Sequence, residues 1–144
     1  MRLTVRAAAP ADADAVAHLL ATLTGEPVTP AQAAERFAAV GATGMDAVFL
    51  AERGGRSVGL AALHWGPQLH RAAPGARVLA LVVAEEARGG GIGAALLDHC
   101  EAHARAQGCG FMEITSRHEH TGAHRFYARQ GYDASALRFR KALR

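Results

Sequence analysis

One glycine-rich stretch of the chain carries residue types that bind phosphate groups. Arg88 is followed by three glycines, Ile92 and Gly93, and a helical spacing of apolar residues begins at Ala94. Glycine can take positive φ and lets a ligand approach the backbone closely, and the first N–H groups of a helix have no partner inside it. These residues therefore predict a site for an anion, well suited to a diphosphate, formed by the backbone of Gly89 to Gly93 with Arg88 at its mouth.

The elements on either side of this loop would aim its N–H groups at the ligand. Residues 78–83 form an almost unbroken apolar run rich in β-branched side chains, which is typical of a strand buried on both faces. After the loop, apolar residues recur at three- and four-residue steps, and Gly108 is placed as a C-cap. The loop therefore follows a central strand and opens a helix, and Gly93 is expected where the helix packs close to the ligand.

The rest of the sequence predicts a single α/β domain over residues 1–144 with a mixed sheet. Alternating and helical apolar patterns predict the order β-α-α-β-β-β-α-β-α-β, with Gly54-Gly55 as the turn of an antiparallel hairpin. The last strand is expected over Ser135 to Ala142, where apolar side chains alternate with arginines. This order differs from that of a doubly wound parallel sheet.

Length, composition and charge indicate the number of domains, the compartment and the partners to expect. The chain has 144 residues with half of them apolar, no apolar run of membrane-spanning length and no signal-peptide h-region, so we expect one domain in the cytoplasm. Cys100 and Cys109 lack the spacing of a metal site or a disulfide scaffold. A net charge of +3 suits an anionic cofactor. No basic stripe with interleaved aromatics indicates a nucleic-acid partner.

A dinucleotide-binding enzyme is one alternative reading of the same loop. Gly89, Gly91 and Ala94 fit the loose dinucleotide-binding pattern, and Glu113 follows about twenty residues later, as the ribose-binding acid of an NAD enzyme would. However, the loop falls late in the chain, after a strand, two helices and a hairpin. No second mononucleotide-binding half follows it, so this alternative is disfavoured.

With the element order and the loop in place, the chain resembles the GNAT N-acetyltransferase superfamily along nearly its whole length. The family's acetyl-CoA loop, Gln/Arg-x-x-Gly-x-Gly/Ala, is matched by Arg88-Gly89-Gly90-Gly91-Ile92-Gly93. A second family motif, A-x-x-F-Y-x-x-x-G-F/Y, is similar to the stretch from Ala123 to Tyr132. The tail is most similar to a bacterial subgroup that includes aminoalkylphosphonate N-acetyltransferases.

The resemblance implies acetyl-CoA as cosubstrate and the primary amine of a small molecule as acceptor, with direct transfer between them. It implies that the backbone of Leu81, Val82 and Val83 binds the pantetheine arm as an added strand, and that an N–H at or near Val83 stabilises the oxyanion. Arg88 and Arg125 are candidates for the phosphates of the coenzyme. Family members are often dimers, so a homodimer is also allowed.

The resemblance places Tyr127 as the general acid, because a phenol can protonate a leaving thiolate while staying uncharged at rest. The general base is less defined, since Ala80 stands where related enzymes often carry a glutamate. His64 is the favoured substitute, since a histidine titrates in the right range; the others are His70, Glu113 and His118. Alternatively the amine arrives neutral and needs no base. The missing glutamate also leaves open a non-catalytic acyl-CoA-binding sensor or interaction module.

A cluster of histidines before the last predicted helix raises the question of a metal. The cluster is His118, Glu119 and His120, with His124 close behind, but no second Cys/His set or HExxH motif supports a zinc site. We therefore predict no metal. With Arg117 and Arg125, these side chains are instead expected to shape an acceptor pocket suited to an anionic amine.

Overall fold

A central mixed sheet with helices on both faces forms the part of the chain that the structure describes. The computed structural model describes residues 2–115 and 121–144. The strands are β1 (Leu3–Ala7), β2 (Asp46–Arg53), β3 (Arg56–Gly66), β4 (Gly75–Val83) and β5 (Phe111–Ile114). The helices are α1 (Ala13–Thr24), α2 (Pro30–Gly41), α3 (Ile92–Ala106) and α4 (Thr121–Arg129), none long and apolar enough to cross a membrane.

The strands follow one another across the sheet in chain order, from β1 to β5. The first four are antiparallel neighbours, whereas β5 pairs with β4 in parallel after the crossover helix α3. Gly54 and Gly55 form the β2–β3 hairpin turn with positive φ angles of 60° and 76°. This arrangement confirms the predicted α/β mixed sheet and differs from the doubly wound fold of dinucleotide-binding enzymes.

Successive residues of the strands face two separate hydrophobic clusters. On one face, Phe49 and Leu63 pack with Leu96 and Leu97 of α3. On the other face, Leu50, Leu60 and Val82 pack with Leu19 of α1. β4 contributes to both clusters, because Val78 belongs to the first and Val82 to the second. The prediction of a central strand packed on both faces is therefore confirmed, except at Leu79, which is 60% exposed.

The final strand predicted over Ser135 to Ala142 is wrong. Residues 132–144 form neither helix nor strand, and Leu137, Phe139 and Leu143 are 68%, 89% and 93% exposed. Alternating apolar and charged residues make a strand only when a neighbouring strand accepts its backbone groups and a core receives its apolar face. The described part of a single chain provides neither for this segment.

An arginine on the edge strand ties the sheet to the first helix. Arg6 of β1 pairs with Glu52 of β2, and its two terminal nitrogens donate to the two Asp12 oxygens at 2.8 Å each. The Asp12 carboxylate also accepts the backbone N–H of Ala9 at 2.7 Å. The hydrogen bonds from Arg6 hold the pKa of Asp12 well below its ordinary value, at about 2.

We expect Asp12→Asn to lower the free energy of unfolding at pH 7 by about 1 kcal/mol, since the ion pair with Arg6 is partly screened by water. A depressed carboxylate pKa stabilises the fold above the ordinary value, and this stabilisation is lost as the pH falls through about 2. The difference in the free energy of unfolding between variant and wild type should therefore vanish between about pH 4 and pH 2 in urea titrations. Asp98→Asn, on the exposed face of α3, is the control, and equal stability of Asp12→Asn and wild type at pH 7 would refute the assignment.

Candidate functional site

The predicted loop joins β4 to α3 and takes a conformation that requires glycine. After β4 the chain makes a short 3-10 turn over Glu85–Ala87, and Gly91 is the N-cap of α3. Gly89 and Gly91 have φ angles of 84° and 77°, and in the described residues only glycines have positive φ. A side chain at either position would strain the backbone, so this turn depends on its glycines.

The loop leaves a row of backbone N–H groups without protein acceptors. In the described part of the chain, the first bond at this end of α3 runs from the N–H of Ala95 to the carbonyl of Gly91, at 3.1 Å. No described residue accepts the N–H groups of Gly89, Gly90, Gly91, Ile92, Gly93 or Ala94. Unpaired N–H groups at a helix N-terminus carry partial positive charge. The residues present therefore fit the diphosphate of a coenzyme.

Gly93 contacts helix α4, which contains most of the second sequence motif. A Cβ at Gly93 would lie 3.2 Å from Cζ of Phe126, whose ring packs from α4 against the first turn of α3. The sequence predicts that Gly93 packs close to a ligand, whereas in the structure its open side faces this ring. The contact fixes α4 beside the loop, and Tyr127 follows Phe126 in the same helix.

The two tyrosines of the second motif have different environments. Tyr127 is half-buried beside Phe126 and Tyr132, with ring centroids 5.5 and 6.4 Å away, and its hydroxyl has no hydrogen-bond partner among the described residues. Burial raises the pKa of Tyr127 above 10, so its phenol stays protonated at neutral pH. The Tyr132 hydroxyl instead donates to Glu101 of α3 at 2.8 Å. Tyr127 is therefore the tyrosine with a proton available to a ligand.

The pairing of β4 with β5 ends after a few residues. The two strands pair only between Gly75–Val78 and Phe111–Ile114. Ala80 pairs with Ala62 on β3 and Val78 pairs with Leu63, so Leu79 is a bulge without a partner. Beyond it, no described strand pairs with β4 on the β5 side. This leaves the stretch from Leu81 to Val83 with an open backbone edge leading to the glycine loop.

His64 lies on β3 in a fixed orientation. Its Nδ1 is 3.1 Å from both carboxylate oxygens of Asp46, the residue opposite it on β2. The Asp46 side chain is only 10% exposed and also accepts the hydroxyl of Thr43, whereas the His64 side chain is 51% exposed. An ionised carboxylate only accepts hydrogen bonds, so Nδ1 donates to Asp46, and in the neutral imidazole the lone pair is then on Nε2.

His64 belongs to a row of ionisable side chains that crosses four strands in direct register. Asp46 is opposite His64, His64 is opposite Arg77 on β4, and Arg77 is opposite Glu113 on β5. Arg77 donates to Glu113 at 2.9 Å. The row crosses β4 at Arg77, two residues before the bulge at Leu79. The sequence pattern does not indicate Asp46 and Arg77 as site residues, because only strand pairing brings them beside His64.

The other predicted site residues are more scattered. Arg88 is exposed, with its Nε 3.4 Å from the carbonyl oxygen of Val83; Arg125 is exposed on α4; and His70 lies in an exposed turn after β3. Arg117, His118, Glu119 and His120 lie outside the described residues. Within the described ranges, no group of three or more His, Cys, Asp or Glu residues could hold a metal ion.

Comparison with known proteins matches this chain to acetyltransferases. Residues 13–132 match the model of the acetyltransferase (GNAT) family. The chain is 42% identical to an aminoalkylphosphonate N-acetyltransferase of Salmonella typhimurium over 94 residues, which make up 65% of this chain and 61% of that protein. The match therefore spans less than two thirds of the relative's length.

Solved structures share the fold. A transcriptional regulator from Bacillus halodurans C-125 superposes with a TM-score of 0.91 at 23% identity, covering 99% of this chain and 100% of that one. A provisionally named acetyltransferase from Agrobacterium tumefaciens strain C58 superposes with a TM-score of 0.89 at 27% identity, covering 96% and 99%.

Proposed function

Since the chain belongs to the acetyltransferase (GNAT) family, we propose that it transfers the acetyl group of acetyl-CoA to the primary amine of a small molecule. The observation that carries the proposal is the row of unbonded N–H groups from Gly89 to Ala94, at the end of a strand with an open edge. An anionic head and an extended arm are the two parts of coenzyme A that such an arrangement suits.

The chain would hold the coenzyme mainly through its backbone. The loop N–H groups bind the diphosphate, with Arg88 and Arg125 as nearby cations. The open edge of β4 at Leu81, Val82 and Val83 hydrogen-bonds the pantetheine arm. An N–H at or near Val83 stabilises negative charge developing on the thioester oxygen, a contribution typically worth about 3 kcal/mol.

Transfer proceeds directly between the two substrates in a ternary complex. The amine nitrogen bonds to the carbonyl carbon, the carbon–sulfur bond breaks, and the amine gives up one proton. Tyr127 donates its phenolic proton to the departing thiolate, and the pKa of this side chain, raised by burial, keeps that proton in place at neutral pH.

His64 is the proposed base that accepts the amine proton, directly or through a water molecule. Asp46 holds the imidazole so that the Nε2 lone pair is free, and the half-exposed position of His64 on the sheet face gives access to an acceptor. This role compensates for Ala80, which has no ionisable group at the position of the family's glutamate.

The acceptor is proposed to be a small primary amine that also bears an anionic group. The Salmonella relative is named as an aminoalkylphosphonate N-acetyltransferase, and the row from Asp46 to Glu113 offers both signs of charge before the open edge of β4. Arg77 suits an acidic tail, and the flanking carboxylates suit an ammonium group.

A cytoplasmic homodimer is the proposed state of the protein. Cys100 and Cys109 are free thiols; burial raises the pKa of Cys100 to about 12 and also raises that of Cys109. Unpaired cysteines are typical of a reducing compartment. The exposed apolar side chains of residues 137–143 provide a surface that a second copy would cover.

A thiol-release assay over a panel of amines tests the function directly. Acetyl-CoA is supplied with aminoalkylphosphonates, amino acids and neutral amines of matched length. We expect CoA release with primary amines and faster release with those that bear an acid group. Binding of acetyl-CoA without release for any amine would favour the second candidate, a non-catalytic acyl-CoA sensor or interaction module, to which the absence of a glutamate at Ala80 points.

Tyr127→Phe should lower kcat by about 100-fold or more, because it removes the proton donor for the thiolate. The dissociation constant of acetyl-CoA should stay unchanged, since the ring and its packing remain. Tyr132→Phe is the matched control: it removes the hydrogen bond to Glu101 and should cost about 1 kcal/mol of stability with little change in kcat. Equal turnover of Tyr127→Phe and wild type would remove the acid assignment.

His64→Gln should lower kcat/KM at neutral pH by about 10-fold or more if the imidazole accepts the amine proton. His18→Gln, on the exposed face of α1, provides the control and should behave as wild type. Asp46→Asn should change the imidazole tautomer, which ¹⁵N NMR of the ring nitrogens detects. Full activity of His64→Gln would remove the assignment of His64 as the base.

A further inference from the structure

Arg53, the last residue of β2, reaches across to the glycine loop. Its Nη2 donates a hydrogen bond of 3.2 Å to the carbonyl oxygen of Gly90, which is 37 positions later in the chain. A Cβ on Gly90 would lie 3.0 Å from Nη1 of Arg53 and 3.2 Å from Nη2. The absence of a side chain at Gly90 therefore makes room for this guanidinium at the centre of the loop.

The charge of Arg53 is not balanced by a carboxylate. In the described residues no acidic side chain lies within ion-pair distance of Arg53, whereas Arg56 on the same hairpin pairs with Glu86 at 3.5 Å. A guanidinium has five N–H donors, and the structure uses one of those of Arg53 on Gly90. Arg53 therefore brings an uncompensated positive charge and free donors to the loop.

The Gly90 carbonyl oxygen lies between unbonded N–H groups of the loop. A carbonyl oxygen carries partial negative charge and would repel a bound anion, and the guanidinium of Arg53 offsets that charge. Arg53 binds this oxygen, while the N–H groups on either side of it stay unbonded. One side chain thus orients the loop and supplies charge that a phosphate can use.

We infer that Arg53 is a coenzyme-binding residue, whose guanidinium contacts the diphosphate held by the loop from Gly89 to Gly93. This inference rests on the proposed function, because it requires coenzyme A as the ligand. It adds to Arg88 and Arg125 a third cation, which comes from a different part of the chain and which no motif of the loop contains.

Isothermal titration of the full chain with CoA and with dephospho-CoA tests this assignment. We expect Arg53→Gln to weaken both affinities by the same factor, about 10-fold or more, because both ligands carry the diphosphate. Arg56→Gln is the matched control, since it removes the same charge from the same hairpin and should change neither affinity by more than about 2-fold. Thermal unfolding of the ligand-free variants checks that both fold.

The salt dependence of binding separates a phosphate contact from a purely structural role. An ion pair with the diphosphate is screened by salt, so the affinity of Arg53→Gln should fall less steeply with ionic strength than that of the wild type. A weaker affinity with an unchanged salt dependence would mean that Arg53 only holds the Gly90 carbonyl, and would overturn the inference. Unchanged affinity, an equal loss in Arg56→Gln, or a loss with CoA alone would also overturn it.

The outcomes for the wild type distinguish this inference from the proposed function. A wild-type chain that binds CoA but transfers no acetyl group contradicts the proposed transferase activity, while Arg53 can still be shown to bind the coenzyme. If the wild type and Arg53→Gln bind CoA equally tightly, only the inference about Arg53 is contradicted. If the wild type binds no CoA, both fail.

Discussion

The separation of β4 from β5 after four paired residues is the constraint on which the site depends. Up to Val78 the two strands share hydrogen bonds, and beyond the bulge at Leu79 the edge of β4 lacks a neighbour in the described chain. α3 starts at the end of this open edge with its first N–H groups unbonded. Unpaired backbone groups are costly inside a protein, so a fold that keeps a strand edge and a helix start unpaired in succession suits a ligand that pairs with both.

In the same region, apolar packing and charged groups have separate roles. Helix α4 is held against the loop by an apolar contact, Phe126 on Gly93, which needs no charge and places Tyr127 in a half-buried position. Charge enters from elsewhere in the chain: Arg53 from the end of β2, and the row from Asp46 to Glu113 across the sheet face. The apolar contacts set the geometry, while the charged groups would select the ligand.

Features that the local sequence determines, such as the glycine loop, were predictable. Features that depend on which strands pair were not. The glycines and the apolar run ending at Val83 were enough to place the loop between a buried strand and a helix. Counting back along the β2–β3 hairpin from its turn would place Asp46 opposite Leu63; only the bulge near Ala51 brings it opposite His64. The predicted last strand failed for a related reason, since its alternating pattern says nothing about whether a neighbouring strand is present.

The buried thiol of Cys100 has a consequence for a protein whose reaction would release a thiol. Only a thiolate attacks thioesters and disulfides at an appreciable rate, and burial keeps Cys100 inaccessible and protonated. The Cys100 sulfur therefore cannot compete with the amine for the acetyl group. Released CoA likewise finds no reactive partner at Cys100 for a mixed disulfide, so this thiol should resist modification by the product when conditions become oxidising.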